Sequence, residues 1–249
     1  MDKQLISRRF SRSAYTYNKR ATVQRNIAKT MSYLLKCYYT KRGGRILEVG
    51  CGTGFLSRLL LEKQEPDSLL LNDICPKMEE FFRNFPKKWV TFIPGDAEQI
   101  DFPGNQNLII SCSALQWFAE PAKFFDKCAS LLAPGGYLAF STFGKRNMEE
   151  VTAITGAGLE YLTPEELTHM LSSHYEILLV KQEVIRKKFA SGFHVLRLLK
   201  DTGVNAISDK PWTPGDLRHF QEEYARRFAV KGGVHLTFHP IYIIVRKKQ

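Results

Sequence analysis

The stretch Arg45-Ile-Leu-Glu-Val-Gly-Cys-Gly-Thr-Gly-Phe55 constrains this chain more than any other. Ile46 to Val49 are apolar except for Glu48, the pattern of a short strand buried on both faces that carries an acid near its C-terminal end. Three alternating glycines follow, Gly50, Gly52 and Gly54, and a helical apolar run starts at Phe55. Glycines in such a turn let a ligand press on bare backbone. The N–H groups of the helix start favour negative or electron-rich ligand atoms.

Downstream of Arg45 strand and helix patterns alternate, as a parallel doubly wound sheet requires. Strand one spans 45–50 and its helix about 55–64. Strand two is Ser68–Ile74, and Pro76 opens a helix that turns Met78, Phe81 and Phe82 inward. Strands three and four are Val90–Ile93 and Asn107–Cys112, followed by a helix over about 121–132. Pro134-Gly-Gly136 turns the chain into strand five, Tyr137–Thr142. Thr163-Pro-Glu-Glu166 has the N-cap, N1 proline and acidic first turn of a helix start. Tyr175 to Phe189 reads as one long strand and Val234 to Val245 as its partner, seven strands in all. Helical patterns at Phe193–Thr202 and Thr213–Phe228 form a cap, an insertion of about 190–233 within a domain of 45–249.

Residues 1–44 are a basic N-terminal arm and helix. Phe10-Ser-Arg-Ser-Ala-Tyr-Thr-Tyr17 interleaves aromatic and basic residues. From Thr22, Val23, Ile27, Met31, Leu34, Leu35 and Tyr38 recur at helical spacing, and Gly43 and Gly44 end that helix. The formal net charge is +11. Eleven Lys and Arg stand against one acid in residues 1–44, eleven against fourteen in 45–150, and fourteen against ten in 151–249. A mildly acidic core flanked by basic ends implies an acidic partner drawn in by long-range electrostatics. Five scattered cysteines without C-x-x-C spacing indicate neither disulfides nor a zinc site. No apolar run approaches the roughly 18–20 residues of a membrane span, and the N-terminus lacks the apolar core of a signal peptide. A cytoplasmic, probable-monomer enzyme without a membrane partner is the expectation.

The glycine spacing separates two cofactors. A dinucleotide turn wants G-x-G-x-x-G, whereas here the third glycine comes one residue early and Phe55 takes the sixth position. Glu48-Val-Gly-Cys-Gly-Thr-Gly54 instead resembles the first motif of class I S-adenosylmethionine-dependent methyltransferases. Ligands of doubly wound sheets sit at the carboxyl ends of strands, and acids stand there: Glu48 in strand one, Asp73 ending strand two, Asp96 after strand three. Asp73, with Ile74 beside it, suits the ribose hydroxyls, because a carboxylate accepts two hydrogen bonds at once. Asp96 with the Ala97 backbone suits the adenine. Glu48 serves either the glycine turn or the cofactor ammonium. Gly50, Cys51, Gly52 and Gly54 offer backbone, as do Ser111 and Cys112 at the end of strand four. The N-P-P-Y and D-P-P-Y signatures of amine and nucleobase methylases are absent after strand four, where Ser113-Ala-Leu-Gln-Trp-Phe118 stands instead. That disfavours nucleic acid as the substrate.

Over nearly its whole length the chain resembles the malonyl-acyl-carrier-protein O-methyltransferases of biotin synthesis. The resemblance is carried by Phe10–Tyr17 with Ala21-Thr-Val-Gln24, by Ser113–Trp117, Ser141-Thr-Phe-Gly144, Leu198–Ala206, and Leu236-Thr-Phe-His-Pro-Ile-Tyr242. Cys112 departs from it, standing where the family commonly has Asn. The resemblance implies a Rossmann-like doubly wound class I methyltransferase sheet of seven strands with a helical cap between the last two. It also implies methyl transfer from S-adenosylmethionine to the free carboxylate of malonyl-acyl carrier protein, an acidic partner that accounts for the charge map. A malonyl carboxylate is ionised at neutral pH, so positioning and partial desolvation suffice. Tyr17, Arg197 and His239 are the expected carboxylate-binding residues, with Gln116 lining the pocket. The residues alone leave open a quinone-type or RNA methyltransferase and a non-catalytic cofactor-binding protein.

Overall fold

The computed structural model describes residues 2–40, 42–204 and 212–249. The chain enters through two helices, α1 (Lys3–Arg20) and α2 (Thr22–Tyr38). Read as an arm of mixed aromatic and basic residues, the first twenty positions instead form one 18-residue helix. The Asp2 carboxylate caps it by accepting from Leu5 N at 2.9 Å. The helical signal is Ile6, Phe10, Ala14 and Tyr17 at three-to-four spacing, a stripe diluted by the charges between its members.

The sheet follows, with β1 (Arg45–Val49), α3 (Phe55–Gln64), β2 (Ser68–Asp73), β3 (Val90–Pro94), β4 (Gln106–Cys112), α4 (Pro121–Leu131) and β5 (Leu132–Phe143). β1 is the centre, parallel to β2 on one side and β4 on the other. Its four residues from Ile46 to Val49 are all buried, because both faces are covered. Ile46 packs in the core under α2 and α3, while Leu47 and Val49 pack in the core under α4. β5 starts earlier than the proline–glycine turn suggests. Leu132 already pairs with Gln106, and the ladder slips before Leu108 pairs with Tyr137, so Pro134–Gly136 form an irregularity within a strand rather than its boundary.

Two short helices, α5 (Glu149–Thr155) and α6 (Pro164–Leu171), precede the last strands. α6 begins where its turn chemistry predicts. Thr163 Oγ1 accepts from Glu166 N at 3.1 Å and Glu166 returns a carboxylate to Thr163 N at 2.7 Å, a reciprocal cap. The long strand read over 175–189 is two strands, β6 (Tyr175–Gln182) and β7 (Ile185–Phe189). After α7 (Gly192–Asp201), α8 (Pro214–Phe228) and β8 (Ala229–Val230), its partner is likewise split into β9 (Gly233–Phe238) and β10 (Pro240–Lys247). β6 pairs with β10 in the main sheet, and β7 pairs with β9 in a second sheet of three strands. The division falls at His239. There the backbone leaves the ladder to accept from Gly144 N through the His239 carbonyl at 2.8 Å.

The main sheet has the order β3-β2-β1-β4-β5-β10-β6. β10 runs antiparallel to both neighbours. The cap therefore contains the small sheet as well as α7 and α8; residues 205–211 of it, including Asn205 and Ala206 of the family-like stretch, lie outside the described residues. Strand order reverses beside β1, with β2 and β3 to one side and β4 and β5 to the other. Such a reversal opens a crevice at the carboxyl ends of the strands.

Candidate active site

That crevice is bounded by the ends of β1, β2 and β4 and by α1. Its floor is the glycine turn and its roof is α1, which presents Lys3, Ile6, Phe10, Ala14 and Tyr17 to it. The roof is pinned at several points. Ser7 Oγ donates to the Ile74 carbonyl at 3.2 Å, Thr53 Oγ1 donates to Asn18 Oδ1 at 2.5 Å, and the Tyr17 ring stacks on Phe55.

Two glycines show why the turn tolerates no other residue. Gly50 has φ 69°, and a Cβ there would stand 2.4 Å from the Ala114 Cβ, so the loop after β4 lies directly on it. Gly52 has φ 53° and nothing within 4 Å of where its Cβ would be, and it lines the crevice; a side chain would enter the space a ligand needs. Gly54 and Cys51 sit beneath the turn instead. Cys51 N donates to the Asn72 carbonyl at 2.9 Å, and its own carbonyl accepts from Gly54 N at 3.0 Å. Burial pushes the Cys51 thiol well up.

Asp73 lines the crevice and is 8% exposed. Its carboxylate accepts from Gly52 N at 2.8 Å and from Cys75 N at 2.9 Å, tying the end of β2 to the turn. Burial raises its pKa to about 6, and those two N–H groups oppose the rise. Each oxygen retains a lone pair for a further donor. Asp96, Ala97 and Ile74 also line the crevice. Asp96 accepts from Glu98 N at 3.1 Å and lies 3.5 Å from Lys3 Nζ. Glu48 does not line it. The carboxyl lies 2% exposed under the turn, beside Ser57, with Oε2 unpartnered, and burial raises its pKa to about 8. Of the two roles expected for Glu48, the geometry supports the turn and not the ammonium. Ser111 is buried behind the wall, whereas Cys112 reaches the crevice with its thiol raised by burial to about 12.

A second cavity of about 360 Å³ adjoins the first, and Phe10, Tyr17, Ser113 and Trp117 line both. Gln116 lines the second, with Gln24, Asn147 and Tyr161. Among the described residues no charged side chain lines it. The Tyr161 hydroxyl accepts from Asn147 Nδ2 at 2.8 Å, which leaves its own proton to donate. Ser113 has φ 58°, a left-handed backbone that a serine adopts only where its surroundings enforce it. Its N–H donates to the Ser141 carbonyl at 3.0 Å.

Two expected carboxylate ligands are elsewhere, and both expectations are corrected. Arg197 stands on the outer face of α7 with 61% of its side chain exposed and its Nε 3.9 Å from Asp201, and it lines none of these cavities. His239 is buried behind the second cavity, where a Cβ on Gly144 would stand 2.6 Å from its ring. Its Nδ1 accepts from Arg146 N at 3.2 Å, so the proton is on Nε2, 2.9 Å from Gln182 Oε1. Burial and the Arg146 charge hold its pKa below the usual histidine range. Both ring nitrogens are engaged, which leaves no lone pair for a base. His239 acts at one remove: its backbone N donates to Asn147 Oδ1 at 3.4 Å, supporting the residue that orients Tyr161.

The fold and the crevice are those of a class I methyltransferase, and a methyltransferase-domain family model matches residues 47–140. An S-adenosylmethionine-dependent methyltransferase from Mesorhizobium loti superposes with a TM-score of 0.55 at 18% identity, covering 86% of this chain and 96% of that one. The malonyl-[acyl-carrier protein] O-methyltransferase of Bacteroides thetaiotaomicron is 46% identical across the full length of both chains. The protein of the same name from Bacteroides helcogenes is 43% identical, again over the whole of both. The chain belongs to the malonyl-[acyl-carrier protein] O-methyltransferase family.

Proposed function

We propose that the protein transfers a methyl group from S-adenosylmethionine to the free carboxylate of a malonyl thioester on acyl carrier protein, yielding a methyl ester for biotin synthesis. The observation that carries the reading is the joining of two cavities of opposite character. One has acids at its strand ends and a bare glycine floor, and the other is lined, among the described residues, by apolar and neutral hydrogen-bonding groups. Tyr17 belongs to both.

The first cavity suits the cofactor. The open space over Gly52 is a cradle that a side chain would fill. Asp73 offers the ribose two carboxylate oxygens, and Ile74, Ala97 and Phe118 give an adenine apolar walls beside Asp96. Bound there, S-adenosylmethionine would supply a methyl group activated by a positive sulfonium.

The acceptor carboxylate is already ionised at neutral pH, so no side chain has to remove a proton. Tyr161, oriented by Asn147, and the neighbouring Gln116 and Tyr17 position it by neutral hydrogen bonds. A guanidinium at this place would capture the attacking oxygen in a strong ion pair. Neutral donors hold the group without quenching it, and exclusion of water by Phe10 and Trp117 removes the solvation that stabilises the charged reactant. The product ester is uncharged, so the same neutral wall has no ionic hold on it.

Full-length relatedness to one family and the uncharged lining of the second cavity among the described residues argue against RNA, and the adjoining cavities argue against a non-catalytic role. The test is incubation of the protein with S-adenosylmethionine and malonyl-loaded carrier, followed by intact-mass measurement of the carrier. A gain of one methylene is the expected result; an unmodified carrier would overturn the reading.

A further inference from the structure

A third cavity of about 740 Å³ lies between the α1–α2 corner, β7 and α7, and it continues the second. Gln24 and Met148 line both, as Phe10, Tyr17, Ser113 and Trp117 link the second to the first. Neighbouring cavities thus share lining residues, and charge is distributed unevenly among the three. The middle cavity has no charged lining residue among those described, while the outer one is edged by Lys19, Arg20, Lys187 and Lys188. Arg20 is committed to Asp201 at 3.4 Å. Lys187 Nζ donates to Thr22 Oγ1 at 2.6 Å, whereas Lys188 leaves the opposite face of β7 with its ammonium beside Gly232; no carboxylate partner of Lys19 or Lys187 is found among the described residues. Val23, Leu198, Leu199 and Phe238 make the floor apolar.

We propose that this cleft is the entry for the acceptor's thioester arm, with the phosphodiester of a carrier protein's phosphopantetheine seated on Lys19 and Lys187. The inference rests on the methyltransferase reading above and says how its substrate reaches the site. A slender, largely neutral arm carrying an anion at its outer end and a small acyl group at its inner end matches the sequence of linings. The lysines take the phosphate, the apolar floor takes the arm, and Gln24 marks the step to the acyl cavity. The choice of a carrier protein over a free coenzyme thioester follows from the surroundings. Residues 1–44 alone hold eleven Lys and Arg against one acid, a surface that attracts an acidic macromolecule at long range.

The test compares wild type with K187E and with K19E, on malonyl-loaded carrier and on a malonyl thioester truncated before the phosphate. Charge reversal is expected to raise KM for the carrier about tenfold or more with kcat little changed, and to flatten the dependence of kcat/KM on salt. Turnover of the truncated thioester and affinity for S-adenosylmethionine should stay within about twofold of wild type. K187Q, which retains side-chain bulk, should be intermediate. An unchanged KM for the carrier, or an equal loss on both acceptors, would overturn the proposal. So would wild-type kcat/KM for malonyl-coenzyme A equal to that for the carrier. Failure of wild type to methylate malonyl-loaded carrier at all would instead refute the functional reading.

Discussion

Glu48→Gln isolates a buried acid whose charge the fold resists. Glu48 is 2% exposed and one of its oxygens has no partner. Burial is the largest cause of its high pKa; the nearby Asp73 adds to it, and Ser57 and Arg58 oppose it. The value rises from 4.5 to about 8. A folded-state pKa above the unfolded one means that the native state holds the extra proton between those two values. Stability therefore falls as pH rises through that window, at up to about 1.4 kcal/mol per pH unit. Glutamine keeps the shape and is neutral throughout. Relative to wild type, the variant should differ by less than about 1 kcal/mol near pH 5 and be more stable by about 3–4 kcal/mol near pH 7.5. Urea unfolding followed by tryptophan fluorescence at constant ionic strength measures both, and subtraction cancels the other titrating groups. A stability difference independent of pH would show that Glu48 is ionised in the native state and refute the argument.

Asp73→Asn should weaken S-adenosylmethionine binding by about ten- to a hundred-fold, the worth of charge-assisted hydrogen bonds, as titration calorimetry would measure. In wild type the affinity should rise with pH around 6, as the carboxylate ionises, and the variant should lose that dependence. Tyr161→Phe removes only the hydroxyl that Asn147 orients, and should lower kcat/KM for the malonyl acceptor about ten-fold or more while leaving cofactor affinity unchanged. His239→Ala removes the acceptor of Arg146 N and the partner of Gln182, and opens a hole against Gly144; a loss of about 2–4 kcal/mol by urea unfolding is expected. Arg197→Ala should leave turnover at saturating acceptor unchanged, since the side chain is exposed and away from the cavities.

The parts that were legible share a property: they are local. The run from Ile46 to Val49, the left-handed glycines and the acid at the end of β2 announce themselves within a few residues, because strand burial, turn geometry and strand-end chemistry all act over that span. The Thr163 cap is read the same way. What was missed depends on neighbours far along the chain. Nothing near Tyr161 in the sequence shows that Asn147 will orient its hydroxyl, and nothing near Ser113 shows that it will be held at positive φ against β5. The stripe on α1 was present in the residues, but the charges between its members masked it.

By itself, then, the sequence determined a doubly wound sheet with a glycine turn after its first strand, and acids near the ends of its strands. Only the tertiary structure decided which side chains line the cavities. Arg197 and His239 both stand in family-like stretches. Yet one points to solvent from α7, and the other is consumed by hydrogen bonds across the break between β9 and β10. A side chain's direction is set by packing between segments distant in sequence, and that energy is absent from any local pattern. The glycine turn declares a site, whereas the roof laid over it by α1 and the neutral cavity beyond Tyr17 exist only once the chain has closed on itself.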